Sequence, residues 1–148
     1  MDIQEKFYKA IKNNDINNVK LLLNDKKIDS SYDNNFAIQL ASQNGHIDIV
    51  KLLLKNKRVD PSYRNNSSIR LASQNGHFEI VKLLLKDKRV DPSYDNNFAI
   101  QSAFEEGYLD IANLLWQDQR IKDTLKFDNK KLYNELIKND IKDKIEDF

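Results

Sequence analysis

The sequence predicts an all-α solenoid of stacked helix-turn-helix units joined by short extended fingers. Residues 32–62 and 63–93 are two copies of a 31-residue unit that differ at only seven positions. A third copy opens at Tyr94 and diverges towards Arg120. Each copy carries two short helical patterns separated by a glycine. A fixed period of this length indicates a repeat array, in which neighbouring copies bury a seam that no copy could bury alone.

The first helix of the unit is predicted over about residues 36–43, where apolar residues recur at helical spacing. Asn34 or Asn35 is expected to cap its start, because a short side-chain oxygen can accept a free backbone N–H there. Gly45 is expected to end it, because glycine adopts a left-handed conformation at little cost.

The second helix is predicted over about residues 47–55. Its apolar residues cover too much of the circumference for a helix with one side in water, so both neighbouring copies should cover it. A finger of about ten residues, 56–65, then leads to the next copy. Within it Pro61 fixes its own φ and favours extended geometry at Asp60.

The two ends of the chain look like altered copies of the same unit. In residues 1–31, Ala10 and Val19 align with Ala41 and Val50, although charged residues interrupt the first helix. Terminal copies of an array need a face that tolerates water. The sequence therefore predicts a single domain over residues 1–148, with an N-terminal capping repeat (1–31), internal repeats (32–62, 63–93 and 94–120) and a C-terminal helical cap (121–148).

The C-terminal tail leaves two interpretations open. Its apolar residues fall into two stripes at helical spacing, Leu132 with Leu136, and Ile141 with Ile145 and Phe148. The tail could lie over Leu115 and Trp116 as a cap, or it could present a docking helix to a partner.

The segment 38–54, Ile-Gln-Leu-Ala-Ser-Gln-Asn-Gly-His-Ile-Asp-Ile-Val-Lys-Leu-Leu-Leu, closely resembles the core of the ankyrin repeat. The Gly-His pairs at Gly45 and Gly76, each followed by a leucine triplet, have the spacing of that family. The unit is about two residues shorter than the usual ankyrin repeat. Phe36-Ala37-Ile38-Gln39 replaces the family's Thr-Pro-Leu-His, so the hydrogen bonding of that tetrapeptide is expected to be lost. The resemblance is closest to the Asn-rich repeats of large DNA viruses and amoebae.

Composition excludes several classes of function. The 148 residues carry a net charge of +1, which points to no polyanionic partner. Without cysteine there is no disulfide and no thiolate metal site or nucleophile. No apolar run is long enough for a membrane span or a signal peptide. We expect a soluble, intracellular, cytoplasmic monomer (in the host cytoplasm if the chain is viral) with no cofactor, no metal and no membrane association.

Catalytic chemistry is not expected. His46 and His77 are the only histidines, and each occupies the same position of its repeat, so they are interpreted as residues that fix the turn between helices. The neighbouring Glu105 and Glu106 point in different directions on a helix and are interpreted as a solvated acidic edge. The sequence therefore predicts a protein that is not an enzyme.

A basic ridge gives the alternative function. Lysines and arginines recur on the predicted outer face, where they could bind the phosphate backbone of a nucleic acid or another anionic surface, or could instead compensate helix C-termini. No aromatic residue interrupts the stripe to stack on bases. The ridge comprises Lys20, Lys26, Lys27, Lys51, Lys55, Lys57, Arg58, Lys82, Lys86, Lys88 and Arg89.

The variable positions favour protein binding as the function. Four of the seven differences between the two best copies, at 33/64, 36/67, 37/68 and 39/70, fall at the end of the finger or on the first helix, the concave surface through which the resemblance implies partner binding. Tyrosine and arginine often dominate interface energies, although the repeated tyrosines could equally pack finger against finger. The predicted partner-binding residues are Tyr32, Asp33, Gln39, Gln43, Tyr63, Arg64, Arg70, Gln74, Tyr94, Asp95, Gln101 and Glu105.

Overall fold

The computed structural model describes residues 2–146, with side chains up to residue 140. Within that part of the chain all regular structure is helical. The helices are α1 (Ile3–Lys12), α2 (Ile16–Leu23), α3 (Tyr32–Gln43), α4 (Ile47–Leu54), α5 (Tyr63–Gln74), α6 (Phe78–Leu84), α7 (Tyr94–Glu105), α8 (Leu109–Trp116), α9 (Gln119–Asp128) and α10 (Lys130–Glu146).

The helices form two layers. The first helix of each pair packs beside the first helix of the next, so that α1, α3, α5 and α7 make one layer. The second helices, α2, α4, α6 and α8, make the other layer in the same way. The predicted all-α stack of helix pairs is confirmed.

The core is the seam between successive pairs. Ile38, Ile69 and Ile100 are fully buried at equivalent positions of the first helices, and leucines are buried at equivalent positions of the second. At the start of each finger the same apolar position is buried as well. The row in the second helices is Leu53, Leu84 and Leu115, and the row in the fingers is Ile28, Val59, Val90 and Ile121.

The predicted boundaries of the helix pair agree with the structure. The right-handed part of α3 begins at Phe36, because the three residues before it have positive φ. Gly45 has a φ of 77° and separates α3 from α4, as its position in the sequence indicates. The second helix ends at Leu54, one residue before the predicted end.

The fingers are tighter than the extended connections that the sequence indicates. Between Leu54 and Tyr63 only Val59 and Asp60 lie outside turns and bends, and no strand occurs among residues 2–146. The chain then makes one left-handed turn before each first helix. This turn takes the place of an extended hairpin because its three residues reverse the chain within a single hydrogen-bonded loop, from Asn35 N–H to Ser31 C=O.

The tail packs on the end of the array. Ile121 is buried where the two preceding copies have Val59 and Val90, but the chain then continues as α9, which contacts α7 and α8. Tyr133 of α10 meets Trp116 edge-on, with ring centroids 5.6 Å apart. Leu132 and Leu136 are buried. The second stripe of Ile141, Ile145 and Phe148 lies outside the described side chains, so its predicted docking role stays a prediction.

Candidate interaction surface

The repeated tyrosines lie at the surface. Tyr32, Tyr63 and Tyr94 begin α3, α5 and α7 and are 58%, 43% and 44% exposed. Each lies in a finger of the same conformation, so the three rings repeat at the pitch of the array. The exposure leaves a large part of each ring available to a partner.

A left-handed turn follows each tyrosine. Asp33, Asn34 and Asn35 have φ values of 49°, 61° and 59°, and the other two fingers repeat this conformation. Left-handed geometry is unfavourable for most L-residues, and Asn and Asp tolerate it best. This explains the repeated Asn-Asn pairs. Arg64, with a φ of 51°, is the exception in the middle finger.

The second asparagine of each turn ties its finger to the next element. The Asp60 N–H donates to Asn35 Oδ1 at 2.8 Å, and the Asp91 N–H donates to Asn66 Oδ1 at 2.8 Å. The sequence predicts that Asn34 or Asn35 caps the first helix, and this is wrong, because α3 has no side-chain cap and Asn35 bonds to the next finger. Asn35 and Asn66 are buried because the bond lies between fingers.

The last asparagine of this series bonds to α9 instead. The Asn97 amide donates to Thr124 Oγ1 at 2.8 Å and to the Asp128 carboxylate at 2.6 Å. The Asn129 amide also donates to Gln101 Oε1 at 3.0 Å. The same position thus holds fingers together inside the array and holds the tail at its end.

The hydrogen bonding expected to be lost with the Thr-Pro-Leu-His tetrapeptide is in part replaced. The Gln39 amide donates to the Asn34 carbonyl at 2.6 Å, and Gln101 donates to the equivalent carbonyl of Asn96. Arg70 makes a longer bond of 3.4 Å to the corresponding carbonyl of Asn65. Because Gln39 is only 6% exposed, it contributes little to the surface.

Arg70 is engaged within the molecule. Its guanidinium forms a salt bridge with Asp95 of the next finger at 2.9 Å and lies 4.6 Å from the centroid of the Phe98 ring. With 23% of its side chain exposed, it serves mainly as a bridge between repeats. The sequence predicts this residue as a partner anchor and does not reveal the bridge, since the bridge depends on a finger that lies 25 residues further along.

The other predicted residues lie on the same side of the first layer. Gln43, Gln74 and Glu105 are exposed at the ends of α3, α5 and α7. A shallow cleft of about 120 Å³ separates α5 from α7, and it is lined by Ser67, Arg70, Leu71, Gln74 and Phe98. Its small size suits one side chain and not an enclosed ligand.

Both histidines join one repeat to the previous one. His77 Nε2 lies 2.9 Å from the Gln43 carbonyl oxygen, and His46 Nε2 lies 3.3 Å from the Lys12 carbonyl oxygen. The His77 ring covers the face of Gly45, where an added Cβ would come within 2.6 Å of it. This agrees with the predicted structural role at the turn. No group of metal-binding side chains occurs among the residues that the structure describes.

Part of the basic ridge is also used inside the fold. Arg89 donates to both Asp87 carboxylate oxygens and to the Val59 carbonyl at 2.9 Å. Its side-chain hydrogen bond lowers the pKa of Asp87 below the usual range, against the opposing effect of burial. This arrangement, in which an arginine bonds to the aspartate two residues before it and to a carbonyl of the preceding copy, is called the Asp-x-Arg latch. It recurs one copy later, where Arg120 bonds to Asp118 and to the Val90 carbonyl. Nucleic-acid binding by the ridge stays a prediction, and the use of Arg89 within the fold does not favour it.

The comparison with known families agrees with this geometry. A family of ankyrin repeats, in three copies, matches residues 7–93. The chain therefore belongs to the ankyrin-repeat family. Ankyrin repeats generally mediate protein–protein interaction, and the family is typically non-enzymatic.

A search of the curated proteins found no match to this chain. None of the helices in residues 2–146 is long and apolar enough to cross a membrane.

Proposed function

We propose that this protein is a non-enzymatic scaffold that binds a partner protein through its fingers and the adjoining face of its first helices. The observation that carries this proposal is the row of tyrosines, Tyr32, Tyr63 and Tyr94, exposed on fingers of the same backbone conformation. A rigid array holds such side chains in place before binding, so little conformational entropy is lost when a partner docks.

The proposed binding residues are those predicted from the sequence, but they are expected to contribute unequally. Tyr63 and Arg64 of the middle finger are the expected anchors, because both are exposed and tyrosine and arginine often dominate interfaces. Gln39 and Arg70 are expected to act through the fold, since one is buried and the other bridges two repeats.

Affinity purification from the cells that make the protein tests the proposal. The bait with Tyr32→Ala, Tyr63→Ala and Tyr94→Ala should lose partners that the unchanged bait retains. A control bait carries Lys51→Ala and Lys82→Ala on the exposed outer face and should retain them. Since the tyrosines are at least two-fifths exposed, each substitution should change stability by about 0.5 kcal/mol or less. Identical partner sets from both baits would contradict the proposal.

We further propose that the chain acts as one intracellular, cytoplasmic, monomeric domain with residues 1–31 and 121–148 as its caps. The burial of Leu132 and Leu136 against the array supports the second cap. Light scattering at increasing concentration should give a constant mass near 17.4 kDa, and a rising mass would contradict the monomer.

A further inference from the structure

The residue after each finger tyrosine carries a charge, and the sign alternates along the array. Asp33, Arg64 and Asp95 have φ values of 49°, 51° and 57°, with ψ values of 53°, 55° and 55°. Because the backbone conformations match, the three side chains leave their fingers in the same direction. All three residues are exposed. The fingers therefore present a row of negative, positive and negative groups.

Among the residues that the structure describes, Asp95 is the one member of this row that forms a salt bridge. Arg70 pairs with Asp95 at 2.9 Å. The residue one copy before Arg70 is Gln39, which is neutral and bonds to the Asn34 carbonyl, so it offers Arg64 no counter-ion. Among the residues described, neither Asp33 nor Arg64 takes part in a salt bridge.

The residue two copies before Arg70 is Tyr8, which stands beside the first finger. Its hydroxyl donates to the Tyr32 carbonyl at 3.2 Å, and the nearby Asp33 contributes to a raised Tyr8 pKa, after the larger effect of burial. A neutral phenol leaves the Asp33 charge uncompensated. The two unpaired charges, Asp33 and Arg64, thus lie on adjacent fingers.

The backbone at Arg64 is a second, independent indication that this side chain acts on a partner. Arginine occupies a left-handed conformation here that the equivalent copies fill with aspartate, which tolerates it better. No salt bridge in the described part of the chain uses the Arg64 charge, and a strained residue of this kind is a sign of a role outside the fold.

The pitch of the array sets the spacing that a ligand must match. Neighbouring first helices pack side by side, which places them about 8–10 Å apart. A peptide in the polyproline II conformation rises about 3.1 Å per residue with about three residues per turn, so residues three positions apart share a face and span about one finger. A peptide lying across the fingers would meet Asp33 and Arg64 with side chains three positions apart.

We propose that the fingers bind a peptide segment of a partner protein that adopts the polyproline II conformation and carries an acidic and a basic residue three positions apart. The carboxylate pairs with Arg64, the cation pairs with Asp33, and the rings of Tyr32 and Tyr63 contact the residues between. This inference rests on the proposed function, because it uses the same surface and adds the chemistry of the partner.

A selection from displayed random peptides of about 12 residues tests the inference, since that length in the polyproline II conformation spans about four fingers. With the unchanged protein we expect enrichment of Glu-x-x-Lys or Lys-x-x-Glu over other spacings, and affinities that fall about tenfold when the acidic residue becomes alanine. Arg64→Asp restores the residue of the neighbouring fingers, so it should fold normally, as circular dichroism can verify. It should shift the enrichment to Lys-x-x-Lys.

The control for charge is Lys6→Glu, an exposed α1 residue whose reversal changes the net charge by the same amount. It should leave the enriched motif unchanged. If peptides bind in a way that Tyr63→Ala abolishes but show no such spacing, the charge inference is overturned and the proposed function survives. If no peptide binding depends on Tyr63, both are overturned. Enrichment of phosphoserine peptides over glutamate peptides in a matched synthetic set would overturn the assignment of a carboxylate.

Discussion

At the scale of single residues, the left-handed turns explain why each finger carries two adjacent asparagines. The two asparagines of a turn have nearly the same φ, such as 60° at Asn65 and 58° at Asn66. Their side chains nevertheless have different roles. Asn65 is exposed, whereas Asn66 is buried and accepts a hydrogen bond from the next finger. Asn65 therefore reports the backbone preference for asparagine alone, and Asn66 reports that preference together with the hydrogen bond between fingers.

Replacing these two asparagines should give different losses of stability. Asn65→Ala should cost about 1 kcal/mol for the left-handed backbone alone. Asn66→Ala should cost about 1–3 kcal/mol more, because the Asp91 N–H loses its acceptor in a part-buried place. Urea unfolding of both variants measures the difference, and equal losses would show that the bond between fingers contributes nothing.

Arg64 should be a residue at which stability and binding oppose each other. Arg64→Asn should raise the free energy of unfolding by about 0.5–1 kcal/mol, because asparagine tolerates the left-handed backbone better. Lys57→Asn, an exposed cation outside the left-handed turns, is the control and should not stabilise. Thermal unfolding measures both, and an unchanged or lower stability of Arg64→Asn would contradict the assigned strain.

The glycines should differ in how well they accept a side chain. Gly45 and Gly107 have φ values of 77° and 82°, so alanine is strained at both, by about 1 kcal/mol. At Gly45 a Cβ would also meet the His77 ring at 2.6 Å, whereas at Gly107 nothing lies within 4 Å. Gly45→Ala should therefore cost about 1 kcal/mol more than Gly107→Ala, since the ring must leave its carbonyl partner.

The same glycine comparison in a His77→Ala background serves as its control. Without the ring, chemical denaturation should give the two glycine substitutions nearly equal costs. A difference that persists would have to come from something other than the His77 contact.

At the scale of the elements, the connection between each second helix and its finger carries the Asp-x-Arg latch. Asp87 with Arg89 and Asp118 with Arg120 each reach a carbonyl of the preceding copy. In the 32–62 copy Asn56 stands in place of the aspartate and accepts only from the Arg58 backbone N–H, and within the described part of the chain no such side-chain bond holds the Arg58 guanidinium. The sequence difference therefore has a direct structural consequence.

Asn56→Asp should complete this latch and stabilise the protein by about 0.5 kcal/mol near pH 7, the usual worth of a partly exposed ion pair. The pKa values of Asp87 and Asp118 are lowered in the folded state, first by the arginine hydrogen bonds. A lowered pKa stabilises the fold above the unfolded value of about 3.9 and loses that contribution as the pH falls through the folded value.

Urea unfolding of Asn56→Asp at about pH 7 and about pH 3 checks this latch. The gain should be present at the higher pH and should shrink at the lower pH. Asn24→Asp, in the neighbouring turn of the preceding copy, is a control with the same change of charge. A gain that does not depend on pH would contradict an ionic latch.

At the scale of the whole molecule, the sequence predicts what is local and repeated. The helix pairs and the glycine at Gly45 follow from patterns within one copy, whereas the carbonyls of the preceding copy that the histidines contact do not. The Asn35 side chain accepts from the Asp60 backbone N–H, and the Arg70 side chain bridges to Asp95, so each contact joins residues 25 positions apart. Such contacts depend on how copies stack, which no pattern within a copy specifies.

The candidate surface could be predicted only in part for the same reason. The tyrosine row follows from the period, and its position on the first-helix side follows from the family resemblance. Which of its charges are free depends on the identity of one residue per copy, Tyr8, Gln39 or Arg70, and on the finger each one reaches. The charges that are available to a partner therefore depend on side-chain differences between copies that share one backbone conformation.

The most direct measurement is the map of amide chemical-shift changes when the isotope-labelled protein binds a selected peptide or purified partner. We predict changes concentrated at Tyr32, Tyr63, Arg64 and Tyr94, with little change along the outer helices α4 and α6. Changes concentrated at Lys51 and Lys82 with the fingers unaffected would contradict the claim that the fingers form the recognition surface.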